Sequence, residues 1–327
     1  MKKKLSIVVF FATLFFISSI SLSLACDFCL LSQGISPLET ISGAGGIRVN
    51  LRYTLLNSVY KGTKDVTPAV KPKEEYLTTE VTGFYSITED LMLLAVVPYR
   101  KNTLDGHLHV HSDGDMEVHT DMKGETSGLG DIALLGRYTF LKKHTIDTTT
   151  AIAGLFGVKL PTGKTDGKTS DGAEFLDAHL QLGTGATDFI FGFSLNHAIQ
   201  RFSLSANILD AIHTEGKAGD KTYQFGNIIN YDVTGKYRVS PSELAPERNQ
   251  WFLALGINGE LRDKEKEGGV TVDNSGGHTI YLTPGVQVVA APHWVIEALY
   301  YHSIYHDLYG TQTGENYKAS AGVTYLF

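Results

Sequence analysis

Residues 316–327 read Asn316-Tyr-Lys-Ala-Ser-Ala-Gly-Val-Thr-Tyr-Leu-Phe327. Tyr317, Ala319, Ala321, Val323, Tyr325 and Phe327 form one alternate set; Lys318, Ser320, Gly322, Thr324 and Leu326 form the other. Successive side chains of a strand point to opposite faces, so this stretch is a strand with one apolar face and one small or polar face. A terminal aromatic residue suits the closing strand of a bacterial outer-membrane β-barrel, where assembly machinery reads it. The competing reading is an edge strand of a soluble sandwich. The rest of the chain chooses between them.

The same alternation recurs upstream. Ile47, Val49, Leu51, Tyr53 and Leu55 share a parity against Arg48, Asn50, Arg52 and Thr54. Tyr223, Phe225, Ile229, Tyr231, Val233, Tyr237 and Val239 do so against Gln224, Asn230, Asp232, Thr234, Lys236, Arg238 and Ser240. Half-buried strands of soluble sheets average about 5–6 residues, whereas a strand that crosses a bilayer needs about 9–11. Twelve such segments are expected, over 45–60, 75–88, 90–104, 127–141, 146–161, 179–199, 201–214, 222–240, 250–263, 278–291, 293–309 and 316–327. Connections alternate between short (Glu89-Asp90, Gln200-Arg201, Pro292-His293) and long and polar (61–74, 105–126, 162–178, 264–277). Short turns on one side and long loops on the other are the outer-membrane pattern. The connection from Ser240 to Asn249 departs from it by being long. The expected fold is all-β: a transmembrane antiparallel up-and-down barrel of about twelve strands at 45–327.

The amino-terminal end supports export. Lys2, Lys3 and Lys4 precede an uncharged apolar run from Leu5 to Leu24, and Ser23-Leu24-Ala25 offers a cleavage site, so 1–25 reads as a cleaved signal peptide. Its removal takes three lysines and no acids from a chain of net charge −7, leaving −10, which argues against nucleic acid as a partner. Residues 26–44 form a short periplasmic or plug segment holding both cysteines, Cys26 and Cys29. A local disulfide, a redox pair and lipidation of Cys26 are open readings. Haem attachment is excluded because Leu30, not histidine, follows Cys29.

Three phrases in the middle of the chain belong together: Gly128-Leu-Gly-Asp131 leading to Tyr138, Gly157-Val-Lys-Leu-Pro-Thr-Gly163, and Leu182-Gly-Thr-Gly185 followed by Asp188. In this order they resemble the family named for the MetA pathway of phenol degradation, outer-membrane transporter-like barrels. The resemblance spans most of the chain and implies a transport role. The cysteine pair and a histidine-rich stretch lie outside the family pattern.

A charge facing lipid at the bilayer midplane costs about 2–4 kcal/mol, which assigns the polar parity to the lumen. Arg48, Arg52, Glu80, Asp232, Lys236, Arg238, Glu260, Arg262, Glu297 and Lys318 then point inward, with Arg100, Asp131, Arg137, Lys159 and Asp188 as candidates for a constriction. Structural ion pairing explains the same residues equally simply. In 105–121, His107, His109 and His111 alternate, and Asp113, Asp115, His119 and Asp121 follow. An extended stretch would put the three imidazoles on one face, a donor set suited to Zn, Cu, Ni or Fe. A solvated loop is the plainer reading. His302 and His306, four apart on a strand, are expected to share a face but to lie too far apart for one ion. No Gly-x-Ser-x-Gly, His-Glu-x-x-His or P-loop occurs, and Ser194 and Asn196 have the parity opposite to His197, which splits any catalytic dyad.

The leading expectation is an outer-membrane channel for a small solute, an aromatic compound or a metal ion. Its partners are the outer-membrane lipid, the barrel-assembly machinery and the solute; the one candidate cofactor is a transition-metal ion, Zn, Cu, Ni or Fe. The alternative is a surface metal-binding barrel with a closed lumen. The third reading is a lipid-acting outer-membrane enzyme.

Overall fold

The computed structural model describes residues 43–110, 116–243, 248–290 and 293–327. The leader, Cys26 and Cys29, and His111, Asp113 and Asp115 lie outside the described residues. The wall is built from β1 (Gly45–Gly62), β2 (Glu74–Ser86), β3 (Leu91–Val110), β4 (Met116–Leu129), β5 (Ile132–His144), β6 (Thr148–Leu160), β7 (Asp188–Ile199), β8 (Phe202–Ile212), β9 (Ile228–Ser240), β10 (Gln250–Arg262), β11 (Gly277–Ala290) and β12 (Trp294–Leu326). Successive passes pair antiparallel, and β12 closes on β1. β4 and β5 together make one pass, since β3 pairs with β5 from Leu91 to Val96 and with β4 from Tyr99 to Val110. β12 makes two passes. Trp294–Leu308 pairs with β11 and Thr311–Leu326 with β1, the chain reversing at Gly310 with φ +62°. The result is a closed barrel of twelve passes, with no unpaired edge in the wall.

Closure is staggered. One rung of paired residues runs Gly46, Phe84, Leu94, Leu135, Gly157, Ile190, Ala211, Ile228, Arg262, Gly277 and Leu308. Leu308 then pairs with Gly62, at the opposite end of the strand from Gly46. A rung that leaves one end of β1 and returns at the other requires tilted strands, as barrel closure demands.

Alternation holds around the wall. On β10, Leu253, Leu255 and Ile257 are 54%, 58% and 51% exposed, while Asn258, Glu260 and Arg262 are buried. Arg48, Arg52, Glu80, Arg137, Asp232, Arg238, Glu297 and Lys318 are likewise buried inside.

Four local expectations are corrected. The polar stretch 105–126 is not all loop: β3 and β4 pair across it from Asp105–Lys123 to Val110–Met116, with Leu104 and Thr126 buried on the inner face below. The strand expected from 179 begins at Asp188, because 178–180 form one 3-10 turn in an inward-folded segment. The strand expected over 222–240 is broken. Lys221–Gln224 joins Gly216–Ala218, Lys266–Glu267 and Val270–Thr271 in a separate four-stranded sheet, and the wall resumes at Ile228. His302 and His306 do not share a face, since the register slips between Ile280 and Tyr281 and leaves His302 outside and His306 buried.

In a phospholipid bilayer, Leu255→Arg is expected to destabilise the barrel by about 2–4 kcal/mol, read by denaturant unfolding in vesicles. A neutral effect would contradict the assignment of this face to lipid.

Candidate functional site

The three phrases shared with the family meet at one junction. Asp131 sits at the β4–β5 boundary, Lys159 at the end of β6, and Asp188 at the start of β7. The Asp131 carboxylate accepts from the Gly163 N–H at 2.9 Å and the Thr184 N–H at 2.7 Å. The Thr184 hydroxyl lies 3.0 Å from Asp131 and 3.1 Å from Asp188. Lys159 Nζ is 2.7 Å from Asp188 and 3.8 Å from Asp131. Asp188 also accepts from the Thr214 N–H at 2.9 Å. All three charged groups are buried. A β-carbon at Gly183 would overlap the Asp131 carboxylate and the Gly163 carbonyl, so glycine is needed where these loops cross. Thus Asp131, Lys159 and Asp188 come together, and their acceptors and donors are used to fasten loop backbones.

What they fasten is a strap, residues 161–187, which turns inward. The Leu180 carbonyl accepts from Asn102 Nδ2 at 3.1 Å and from the Thr126 hydroxyl at 2.5 Å, two paired residues on the inner face of the β3–β4 hairpin. Leu176 and Leu180 pack on Leu104 from the same hairpin, with Tyr76 and Met122 beside them. Gln181 secures the strap to itself, donating to the Leu176 carbonyl at 2.7 Å and accepting from the Gly167 N–H at 2.7 Å. Burial of its apolar side chains explains why this polar, glycine-rich stretch does not extend into solvent.

Between the strap, the hairpin and the four-stranded sheet lies a cavity of about 330 Å³. Leu56, Tyr76, Leu108, Phe175 and Leu176 supply apolar wall; Glu74, His179, Tyr223 and Glu265 supply polar groups. His179 Nε2 is 3.0 Å from Glu265, and the Tyr223 hydroxyl donates to the same carboxylate oxygen. Burial opposes the His179 charge, but the Glu265 carboxylate outweighs it and raises the imidazole above its usual range. Burial likewise opposes the Glu265 charge, and His179 and Tyr223 hold it below the usual carboxylate range.

Below the mouth, the inward side chains of the described residues are largely buried, and the two sides of the bore differ. One side is ionic. Arg48 pairs with Glu297, Arg262 with Glu260, and Lys318 with Glu260 at 3.0 Å and Glu315 at 2.7 Å. Gly322 lets Arg48 reach Glu297 across the intervening strand, since its β-carbon would stand 3.2–3.3 Å from both groups. The other side is apolar. Phe84, Leu94, Leu135, Ile190, Ala211 and Ile228, all on the rung traced above, face inward and are buried, and Met92, Val96, Ala133 and Leu209 pack with them. Because strands tilt, this ladder climbs from Phe84, next to the short 87–90 turn, to Ile228, next to the mouth loops.

Arg137 lies apart from the junction, deeper in the bore, where its Nη1 donates to Thr139 at 3.2 Å. Arg100 pairs in register with Gly128, beside the junction. His107 and His119 are cross-strand partners, and the His109 and His119 rings meet edge to face at 5.6 Å. His107 Nδ1 is 3.2 Å from Asp177. Among the described residues no three His, Cys, Asp or Glu groups converge as a metal site would require. The apolar ladder was missed by the parity argument, which treated every inward position as polar. Its signal is present in Leu91-Met-Leu-Leu-Ala-Val-Val97, apolar on both faces.

Asp131→Ala is expected to free the strap, since removing one member of a buried pair costs about 3–5 kcal/mol. Trypsin should then cut after Lys164 or Lys168 at least about tenfold faster, as a released loop is cut through its open form. Unchanged cleavage would contradict the fastening role.

No curated protein matches the chain. The fold resembles the crystal structure of the COG4313 outer membrane channel from Pseudomonas putida F1, with 13% identity, 90% of this chain and 100% of that chain covered, and a TM-score of 0.66. More distantly it resembles the β domain of the Bordetella autotransporter BrkA (11% identity, 87% and 100% covered, TM-score 0.43) and a Pseudomonas aeruginosa FadL homologue (11% identity, 94% and 99% covered, TM-score 0.41). A family model described as MetA-pathway of phenol degradation matches residues 72–327. The chain belongs to that family.

Proposed function

We propose that the protein is a channel of the bacterial outer membrane that passes small, largely apolar solutes. The observation that carries this reading is the inward apolar ladder from Phe84 to Ile228, which links the lower end of the bore to the mouth. A water-filled pore has a polar lining, and its polar wall gives an apolar solute nothing in exchange for leaving water. Here an apolar solute meets apolar side chains over half of the rung. The mouth cavity, with Leu56, Tyr76, Leu108, Phe175 and Leu176 along its wall, is the natural entry.

Passage requires side chains to part. The ionic side is held by buried pairs, whose separation strands charges in a poorly solvated place. The ladder is held by non-directional contacts, each worth only about 0.1–0.2 kcal/mol per atom pair, and an apolar solute replaces them as it moves. The ladder is therefore the side that yields.

The largely buried interior also favours a second reading, a closed barrel that binds a ligand at its outer face without passing it. The metal-binding form of that reading would rest on His107, His109, His119 and the residues at 111–115.

The deciding experiment is entry of a small aromatic hydrocarbon into vesicles carrying the refolded protein. Entry is expected to exceed that into protein-free vesicles, and Leu135→Glu, checked for folding by heat-shifted gel mobility, should slow it by about tenfold or more, since a buried unpaired charge costs several kcal/mol. Entry no faster than into empty vesicles would leave the closed-barrel reading in its place.

A further inference from the structure

The strap sends one imidazole across the mouth to a buried carboxylate. His179 belongs to the single 3-10 turn at 178–180, and its Nε2 lies 3.0 Å from Glu265, in the connection between β10 and β11. Tyr223 and Phe225 stand edge-on to its ring, with centroids at 6.5 and 5.6 Å. Glu265 is 1% exposed and also accepts from the Tyr223 hydroxyl. The His179 side chain keeps 26% of its surface open and lines the cavity, so its proton exchanges with water. Imidazole is the side chain whose charge ordinarily changes between about pH 5 and 8.

The strap has other fastenings, and they differ in kind. Asp131 holds only its two ends, at Gly163 and Thr184. The bonds from Asn102 and Thr126 to the Leu180 carbonyl, and from the Gly219 N–H to the Thr165 carbonyl at 2.6 Å, join neutral groups and do not change with pH. Toward the hairpin, Asp177 lies 3.2 Å from His107. The turn at 178–180 is thus gripped between the hairpin and the β10–β11 connection, and its grip on the connection runs through a charge that pH can remove.

We propose that His179 is a pH-operated latch: paired with Glu265 it holds the strap across the mouth in mild acid, and it lets the middle of the strap lift as the medium turns alkaline. The charged groups facing His179 are Glu265, Arg262 at the end of β10 and Glu74 at the start of β2. Burial opposes the imidazolium, as Arg262 does, but the charge and hydrogen bond of Glu265, helped by Glu74, outweigh both and raise the imidazole above its usual range. A lifted strap returns His179 to water and to an ordinary value of about 6.5. The hold of the pair is therefore complete below that value and is lost as pH rises through the raised one. At the acid end Glu265 is held below the usual carboxylate range, so the hold persists until pH falls through that depressed value. Loss of the His179 proton leaves a neutral hydrogen bond where a charge-assisted one stood, and the latter is about twice as strong. The effect on solute entry rests on the channel reading; the latch itself does not.

The test is backbone hydrogen exchange of the refolded mature protein in vesicles at about pH 6 and about pH 9, corrected for the intrinsic pH dependence of exchange, alongside entry of an aromatic hydrocarbon into the same vesicles. Protection of peptides within 173–182 should fall by at least about fivefold between the two conditions, while peptides of the wall within 204–210 stay unchanged, and entry should rise over the same interval. His179→Gln keeps a neutral donor toward Glu265 and should make strap protection and entry independent of pH. Glu265→Gln should do the same and covers the case in which His179→Gln fails to fold. Equal strap protection at the two pH values, or the same fall in both variants, would overturn the latch. A strap that loosens while entry ignores pH would overturn its control of the mouth. A strap that loosens in vesicles that admit no hydrocarbon at either pH supports the latch and sinks the channel reading alone.

Discussion

The closed ring of backbone hydrogen bonds governs the rest. A barrel without an edge satisfies every wall amide inside the wall, which is the condition for a sheet to stand in hydrocarbon. Closure then fixes parity, because a one-residue slip would turn a whole strand inside out. Leu253, Leu255 and Ile257 stay outside and Asn258, Glu260 and Arg262 inside because β10 is pinned on both sides, to β9 and to β11. Closure also sets the stagger. The rung that starts at Gly46 returns at Gly62, so residues that neighbour each other around the ring lie at different heights. A row of apolar side chains along that rung becomes a climbing path.

Two kinds of interaction share the interior. Arg48–Glu297 and Lys318–Glu260–Glu315 cross-link one side of the bore, where each charge is buried but matched. The opposite side packs Phe84, Leu94, Leu135 and Ile190 together, with Arg137 and Thr139 beside them. The family phrases belong to neither. Asp131, Lys159 and Asp188 clamp the strap, the β8–β9 loop and the barrel rim to one another. Their shared spacing with the family therefore describes how the mouth is built.

The barrel was legible in the sequence because wall strands repeat one rule many times. Val49/Asn50 and Val233/Thr234 carry the same instruction, and errors in one strand are corrected by its neighbours. The strap was not legible. Leu180 and Leu182 alternate with Gln181 and Gly183 as a strand would, and the inward bend depends on residues far off in sequence: Asn102 and Thr126 bond the Leu180 carbonyl, Asp131 holds the Gly163 and Thr184 amides, and Leu104 packs on Leu176 and Leu180. The hairpin was hidden for the opposite reason: its inner face meets the strap through a few residues such as Leu104 and Met122 while the rest is polar, so period-two alternation of polarity fades as backbone pairing continues. The slip beside Tyr281 shows a third limit. One extra residue reverses the facing of His302 against His306, and nothing in their spacing announces it.

The proposed channel requires an apolar solute to travel along the ladder and not along the ionic side. Photolabelling of the bilayer-embedded protein with a diazirine-bearing toluene analogue tests it directly, counting only adducts that excess toluene suppresses and mapping them by mass spectrometry. The account predicts suppressible adducts on Leu94, Leu135, Ile190 and Ile228. Suppressible adducts confined to the Arg48, Glu297 and Lys318 side, or found only on outward residues such as Leu253 and Leu255, would contradict it.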